Sequence, residues 1–139
     1  WAIKHLGGFP VDVKRPAIAT LRHGMKLLQT HQTLVIFPEG DIFREKQVQR
    51  LKPGLARLAL KAEQSTSNLG AKVVPIYLDY DHPRPSFGSS VEVRIGQPLE
   101  VADYLVSGSA KQQALRLTID LKRSLDSLSH INQPLELAA

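Results

Sequence analysis

A chain of 139 residues, 42% hydrophobic and 22% charged, has the length of one domain and a globular composition, which excludes a disordered tail, a fibre and a two-domain enzyme. Its net charge of +5 and isoelectric point near 9.7 favour anionic partners such as phosphates, acidic lipid head groups or nucleic acid. With no Cys present, disulfides, thiolate zinc sites and a Cys nucleophile are excluded.

The opening stretch Trp1 to Leu6 reads as the tail of a helix stopped by Gly7-Gly8, and Phe9-Pro10-Val11-Asp12 as a short strand that Pro10 confines to an edge or an end. Pro16 starts the next helix, whose apolar residues Ile18, Leu21, Met25 and Leu28 recur at intervals of three or four, with Gly24 weakening it. Thr33 to Phe37 is apolar and β-branched and runs into Pro38-Glu39-Gly40, the pattern of a buried strand ending in a loop. A charged loop leads to Pro53, which opens a second helix buried through Leu55, Leu58, Ala59 and Ala62. Lys72 to Tyr80 is expected as one strand, and Ser90 to Ile95 alternates as another. Leu117, Leu121, Leu125 and Leu128 form the seam of a final helix. Strands alternating with helices imply a single α/β domain over residues 1–139, its mostly parallel or mixed sheet flanked by helices. In such sheets function sits on loops beyond the strand ends. The longest apolar runs have about four residues, far below the roughly 18 of a membrane span.

Two loops carry candidate chemistry. Lys14 and Arg15 stand just before a helix start, where free N–H groups also attract anions; a solvated cationic turn explains them equally well. Glu39 follows an expected buried strand and sits between Pro38 and Gly40, so its carboxylate is aimed. Arg44, Lys46, Arg50 and Lys52 follow, and this wall could offer a carboxylate to a hydroxyl and cations to a phosphate. The competing reading is a plain turn with Glu39 paired to Arg44.

Phosphate-loop, dinucleotide, nucleophile-elbow and His-Glu-x-x-His patterns do not occur. Asp79 and Asp81 could hold a divalent cation in a glycosyltransferase, though capping of a strand end accounts for them more simply. Nucleic-acid binding has no support beyond charge, since the one Trp, three Tyr and four Phe are not interleaved with basic residues.

Gly7-Gly8-Phe9-Pro10-Val11, Phe37-Pro38-Glu39-Gly40 and Val73-Val74-Pro75-Ile76, in that order and spacing, resemble three sequence blocks of the glycerolipid acyltransferase family, and the branch they look most like is 1-acylglycerol-3-phosphate acyltransferase. Lys52-Pro53-Gly54 is similar to the family as well. The resemblance implies a glycerol-3-phosphate acyltransferase-like fold and transfer of a fatty acyl group from an acyl-CoA or acyl carrier protein thioester to lysophosphatidate, giving phosphatidate. It implies work at a membrane surface, on the cytoplasmic face, with no cofactor and no metal. It assigns Glu39, Gly40 and Arg44, assisted by Lys14 and Arg15, to the acceptor and its phosphate, and Val73, Val74, Pro75 and Ile76 to the acyl-substrate strand block.

The family pattern differs from this chain in two blocks. The second block usually ends in Arg where this chain has Val13, and the third continues Gly-Thr-Arg where this chain has Gly40-Asp41-Ile42-Phe43-Arg44. The family's base is a His followed five positions later by Asp. Here the five His residues are followed at that distance by Pro10, Leu28, Ile36, Phe87 and Leu135. The expectation is therefore an N-terminally incomplete acyltransferase domain, inactive alone. A non-catalytic module binding anionic lipid is the alternative from another class.

Overall fold

The computed structural model describes residue 8 and residues 18–41, 47–82 and 87–130. The expected edge strand at Phe9 to Asp12 and the cationic pair Lys14 and Arg15 lie outside them, as does Arg44.

Helix α1 spans Ile18–Gln29. Of its expected seam, Met25 and Leu28 are part-buried while Leu21 is 40% exposed, and Gly24 is buried beside them. The reason is close approach: a Cβ on Gly24 would stand 3.2 Å from Leu58 Cδ2 and 3.5 Å from Leu34 Cδ2. The glycine that weakens the isolated helix thus lets it lie close to its neighbour. Its end is closed by the Gln32 N–H donating to Leu27 O and the His31 N–H donating to Leu28 O, with His31 left-handed at φ 57°, the Schellman pattern.

Helix α2, Gly54–Ser65, begins after Pro53 and buries Ala56, Leu58, Ala59, Leu60 and Ala62. Small residues on this face let α1 and the last helix pack closely on it. Beyond it the Glu63 carboxylate accepts the N–H groups of Gly70 (3.2 Å) and Ala71 (2.7 Å), turning the chain into β1, Lys72–Val73.

The single strand expected over Lys72 to Tyr80 is broken at Val74-Pro75. β1 pairs antiparallel with β4, Leu99–Glu100, while β2, Ile76–Tyr80, pairs antiparallel with β3, Val91–Ile95. Pro75 is buried and has no N–H to give a ladder, so it separates the two pairings; its carbonyl accepts Gly96 N–H at 2.9 Å. The expectation of one mostly parallel or mixed sheet is corrected: among the described residues there are two ladders, both antiparallel. Thr33 to Phe37 forms no ladder there either, and Val35 and Phe37 are 77% and 73% exposed. β-branched composition marks a segment suited to pairing, but only a neighbouring strand at the right spacing makes it one. Helices with small antiparallel sheets remain compatible with an α/β fold.

A 3₁₀ turn at Val101–Leu105 leads to α3, Ala110–His130. All four expected seam residues, Leu117, Leu121, Leu125 and Leu128, are buried. One core cluster joins Ala56, Ala59 and Leu60 of α2 to Val101, Ala114 and Leu117. A second joins Leu51 to Leu121 and Leu125, with Val48, Leu55 and Val73 packed against it.

Tyr104 donates from its phenol to Asp120 at 3.1 Å. Burial first, then that hydrogen bond and the carboxylate charge, push its pKa up to about 12 from 10.0. The native state therefore holds the phenolic proton after the unfolded chain has released it. The stability contributed is complete below pH 10 and is lost as the pH rises towards 12. Thermal melts across that window should show an alkaline decline that Tyr104→Phe reduces.

Candidate acceptor site

The site is assembled by two facing segments, Pro38 to Asp41 and Gln49 to Pro53. Three hydrogen bonds tie them: Lys52 N–H donates to Pro38 O at 2.8 Å, Gln49 N–H to Glu39 Oε1 at 2.7 Å, and the Lys52 ammonium to Gly40 O at 2.9 Å. Gly40 N–H also donates to Phe37 O at 3.2 Å, closing the Pro-Glu turn. Between the segments lies an open groove of about 460 Å³ lined by Glu39, Asp41, Gln49, Arg50, Leu51, Lys52 and Pro53. Leu51 is buried and belongs to the cluster against which Val73 packs, so the floor is continuous with the core.

Glu39 is half-buried. With one carboxylate oxygen held by a backbone N–H, its side chain is fixed in direction. Gly40 is required twice over. Its φ of +64° is in the left-handed region, and a Cβ there would meet Lys52 Cδ at 2.7 Å. Gly40→Ala should therefore cost about 1–2 kcal/mol from the backbone conformation alone, with more from displacing Lys52, and urea unfolding of the variant measures it.

The strand block Val73 to Ile76 divides by burial. Val73 packs against the cluster under the groove and Pro75 is buried, while Val74 and Ile76 are 44% and 50% exposed. One residue further, Tyr77 has its pKa raised by burial and by the charge of Asp79, with a smaller part from Glu39 and an opposing effect of Arg94. The Glu39 loop thus lies within electrostatic reach of β2. Of the sequence-assigned residues, Glu39 lines the groove, Gly40 shapes the turn that carries it, and Val73 packs against the cluster that contains the groove residue Leu51.

Asp79 and Asp81, the candidate cation ligands, have other work. Asp79 pairs with the buried Arg94 at 2.8 Å, and Asp81 Oδ2 accepts Ser90 N–H at 2.9 Å across the β2–β3 turn. Arg94 also pairs with Glu92 at 2.9 Å, donates to Leu128 O at 2.8 Å and lies 5.7 Å from the centre of the Tyr77 ring. These contacts fasten the hairpin to the end of α3. Among the described residues no group of three or more His, Asp or Glu could hold a metal ion.

The backbone clamp of Gln49 on Glu39 has no signature of residue type, since any residue but proline supplies an N–H. Lys52-Pro53-Gly54 was the available signal that residue 52 is held at a helix start.

The Phe37-Pro38-Glu39-Gly40 turn, clamped against a cationic segment, lies within residues 1–79, which the family model described as Acyltransferase matches. The chain belongs to the glycerolipid acyltransferase family. It is similar to glycerol-3-phosphate O-acyltransferase 1 of Saccharomyces cerevisiae (strain ATCC 204508 / S288c), with 32% identity over 94 residues, 68% of this chain and 12% of that protein. The matched region thus spans about an eighth of the relative's length. No solved structure gives a significant match. Among the described residues no helix is long and apolar enough to cross a membrane.

Proposed function

We propose that this chain is the acceptor-binding part of a 1-acylglycerol-3-phosphate acyltransferase, at the cytoplasmic face of a membrane. In the reaction the acceptor hydroxyl oxygen attacks the carbonyl carbon of an acyl-CoA or acyl carrier protein thioester. The C–S bond breaks, and the hydroxyl proton passes through a base to the departing thiolate. Such a reaction needs an oriented hydroxyl, a seat for the phosphate and a base. Glu39 and Gly40 form the hydroxyl side of the wall; Arg44, with Lys14 and Arg15, is assigned to the phosphate. The family's His-x4-Asp base does not occur in these 139 residues, so their part is to bind and orient the acceptor.

The observation that carries this reading is the Glu39 carboxylate, pinned by Gln49 N–H in a groove that also bears Arg50 and Lys52. The yeast relative's name favours glycerol 3-phosphate as a second candidate acceptor, which shares a phosphate and a neighbouring alcohol with lysophosphatidate. Calorimetric titration of the purified chain separates the two. Tighter binding of lysophosphatidate supports the first assignment, tighter binding of glycerol 3-phosphate the second, and binding of neither contradicts the acceptor site. Acyl transfer by the purified chain should be undetectable; measurable turnover would refute the assignment of the base to a His-x4-Asp block.

A further inference from the structure

The family pattern places Arg two residues after Gly40, where this chain has Ile42. We propose that Lys52 is a further cation for the acceptor phosphate and holds it at the rim of the groove; the inference rests on the acceptor reading above.

Lys52 is anchored at both ends. Its backbone N–H donates to Pro38 O, and its ammonium donates to Gly40 O at 2.9 Å. Between them the stem runs so close over Gly40 that Cδ, Nζ and Cε lie 2.7, 2.9 and 3.1 Å from the position a Cβ would take. A free surface lysine loses its rotamer freedom when it grips an anion. Here the stem is already laid down, so that cost is largely met before a ligand arrives. An ammonium has three donors, and one goes to Gly40 O, which leaves two on a full positive charge beside the groove. The ion pairs among the described residues engage Lys72, Arg94, Lys122 and Arg123, and not Lys52.

Two carboxylates share the lining. Glu39 has one oxygen committed to Gln49 N–H, and Asp41 stands on the exposed side. A ligand carrying a phosphate and a hydroxyl suits this mixture better than a bare anion does, because the hydroxyl can donate to a carboxylate while the phosphate accepts from Lys52. Arg50, exposed on the same lining, adds a second cation.

The test is a titration of the chain with glycerol 3-phosphate, using glycerol as the uncharged control. It is followed through the lysine side-chain ammonium resonances by NMR and through affinity by calorimetry. The Lys52 ammonium resonance should shift with glycerol 3-phosphate and not with glycerol. Lys52→Met should weaken glycerol 3-phosphate binding by about tenfold or more, while Lys52→Arg should retain most of it. A bound ligand that leaves the Lys52 resonance unmoved, or equal affinity of wild type and Lys52→Met, overturns the role of Lys52 and leaves the acceptor reading standing. No binding by the wild-type chain overturns both. Should Lys52→Met fail to fold, the wild-type ammonium resonance decides alone.

Discussion

Glu39→Ala should lower acyl transfer by about 10²-fold in a protein that joins this chain to a His-x4-Asp block, a loss expected when a reacting group is misplaced by as little as 1 Å. The substitution removes the acceptor for Gln49 N–H, a half-buried pairing at 2.7 Å, and releases one of the three ties between the facing segments. Glu39→Gln separates the two contributions. Its amide oxygen can still accept from Gln49 N–H, so the turn should stay in place while the negative charge offered to the acceptor hydroxyl is gone. Turnover of Glu39→Gln should fall between wild type and Glu39→Ala, with an unfolding midpoint close to wild type. Steady-state kinetics and urea unfolding on the three proteins check both statements, and wild-type turnover in Glu39→Ala would discredit the site.

Leu117→Ala should be the most destabilising single truncation in the core. Leu117 is fully buried, packed among Ala56, Ala59, Leu60, Val101 and Ala114. Those neighbours are held on α2, α3 and the 3₁₀ turn and cannot easily collapse into the space. Removing the isobutyl group should cost about 2–5 kcal/mol, which corresponds to a fall in Tm of roughly 10 °C for a domain of this size. Leu115→Ala, at a position 56% exposed on the same helix, is the control and should leave Tm close to wild type. Differential scanning calorimetry of the pair measures the contrast.

The residues legible in the sequence were those whose surroundings are set by their own element. The seam Leu117, Leu121, Leu125 and Leu128 follows from helical spacing, and all four are buried. Glu39 between Pro38 and Gly40 was singled out because both neighbours restrict or permit backbone states that any surroundings must respect. Gly40 does adopt a positive φ.

What sequence reading missed depended on partners far along the chain. Composition marked Thr33 to Phe37 as a buried strand, yet Val35 and Phe37 are exposed because no described strand runs alongside. Lys72 to Tyr80 looked continuous, since a proline within apolar residues does not reveal that the segments on its two sides pair with β4 and β3 separately. Gly24 read as a weak point of α1, whereas the space it leaves is taken by Leu58 and Leu34.

The most direct test of the central claim is a crystal structure of the chain with glycerol 3-phosphate bound. The glycerol hydroxyl should lie within hydrogen-bond distance of Glu39 and the phosphate on Lys52, between Pro38 to Asp41 and Gln49 to Pro53. A ligand seated instead in the smaller cleft lined by Asp79, Tyr80, Asp81, Ser90 and Glu92, with Glu39 untouched, would contradict it.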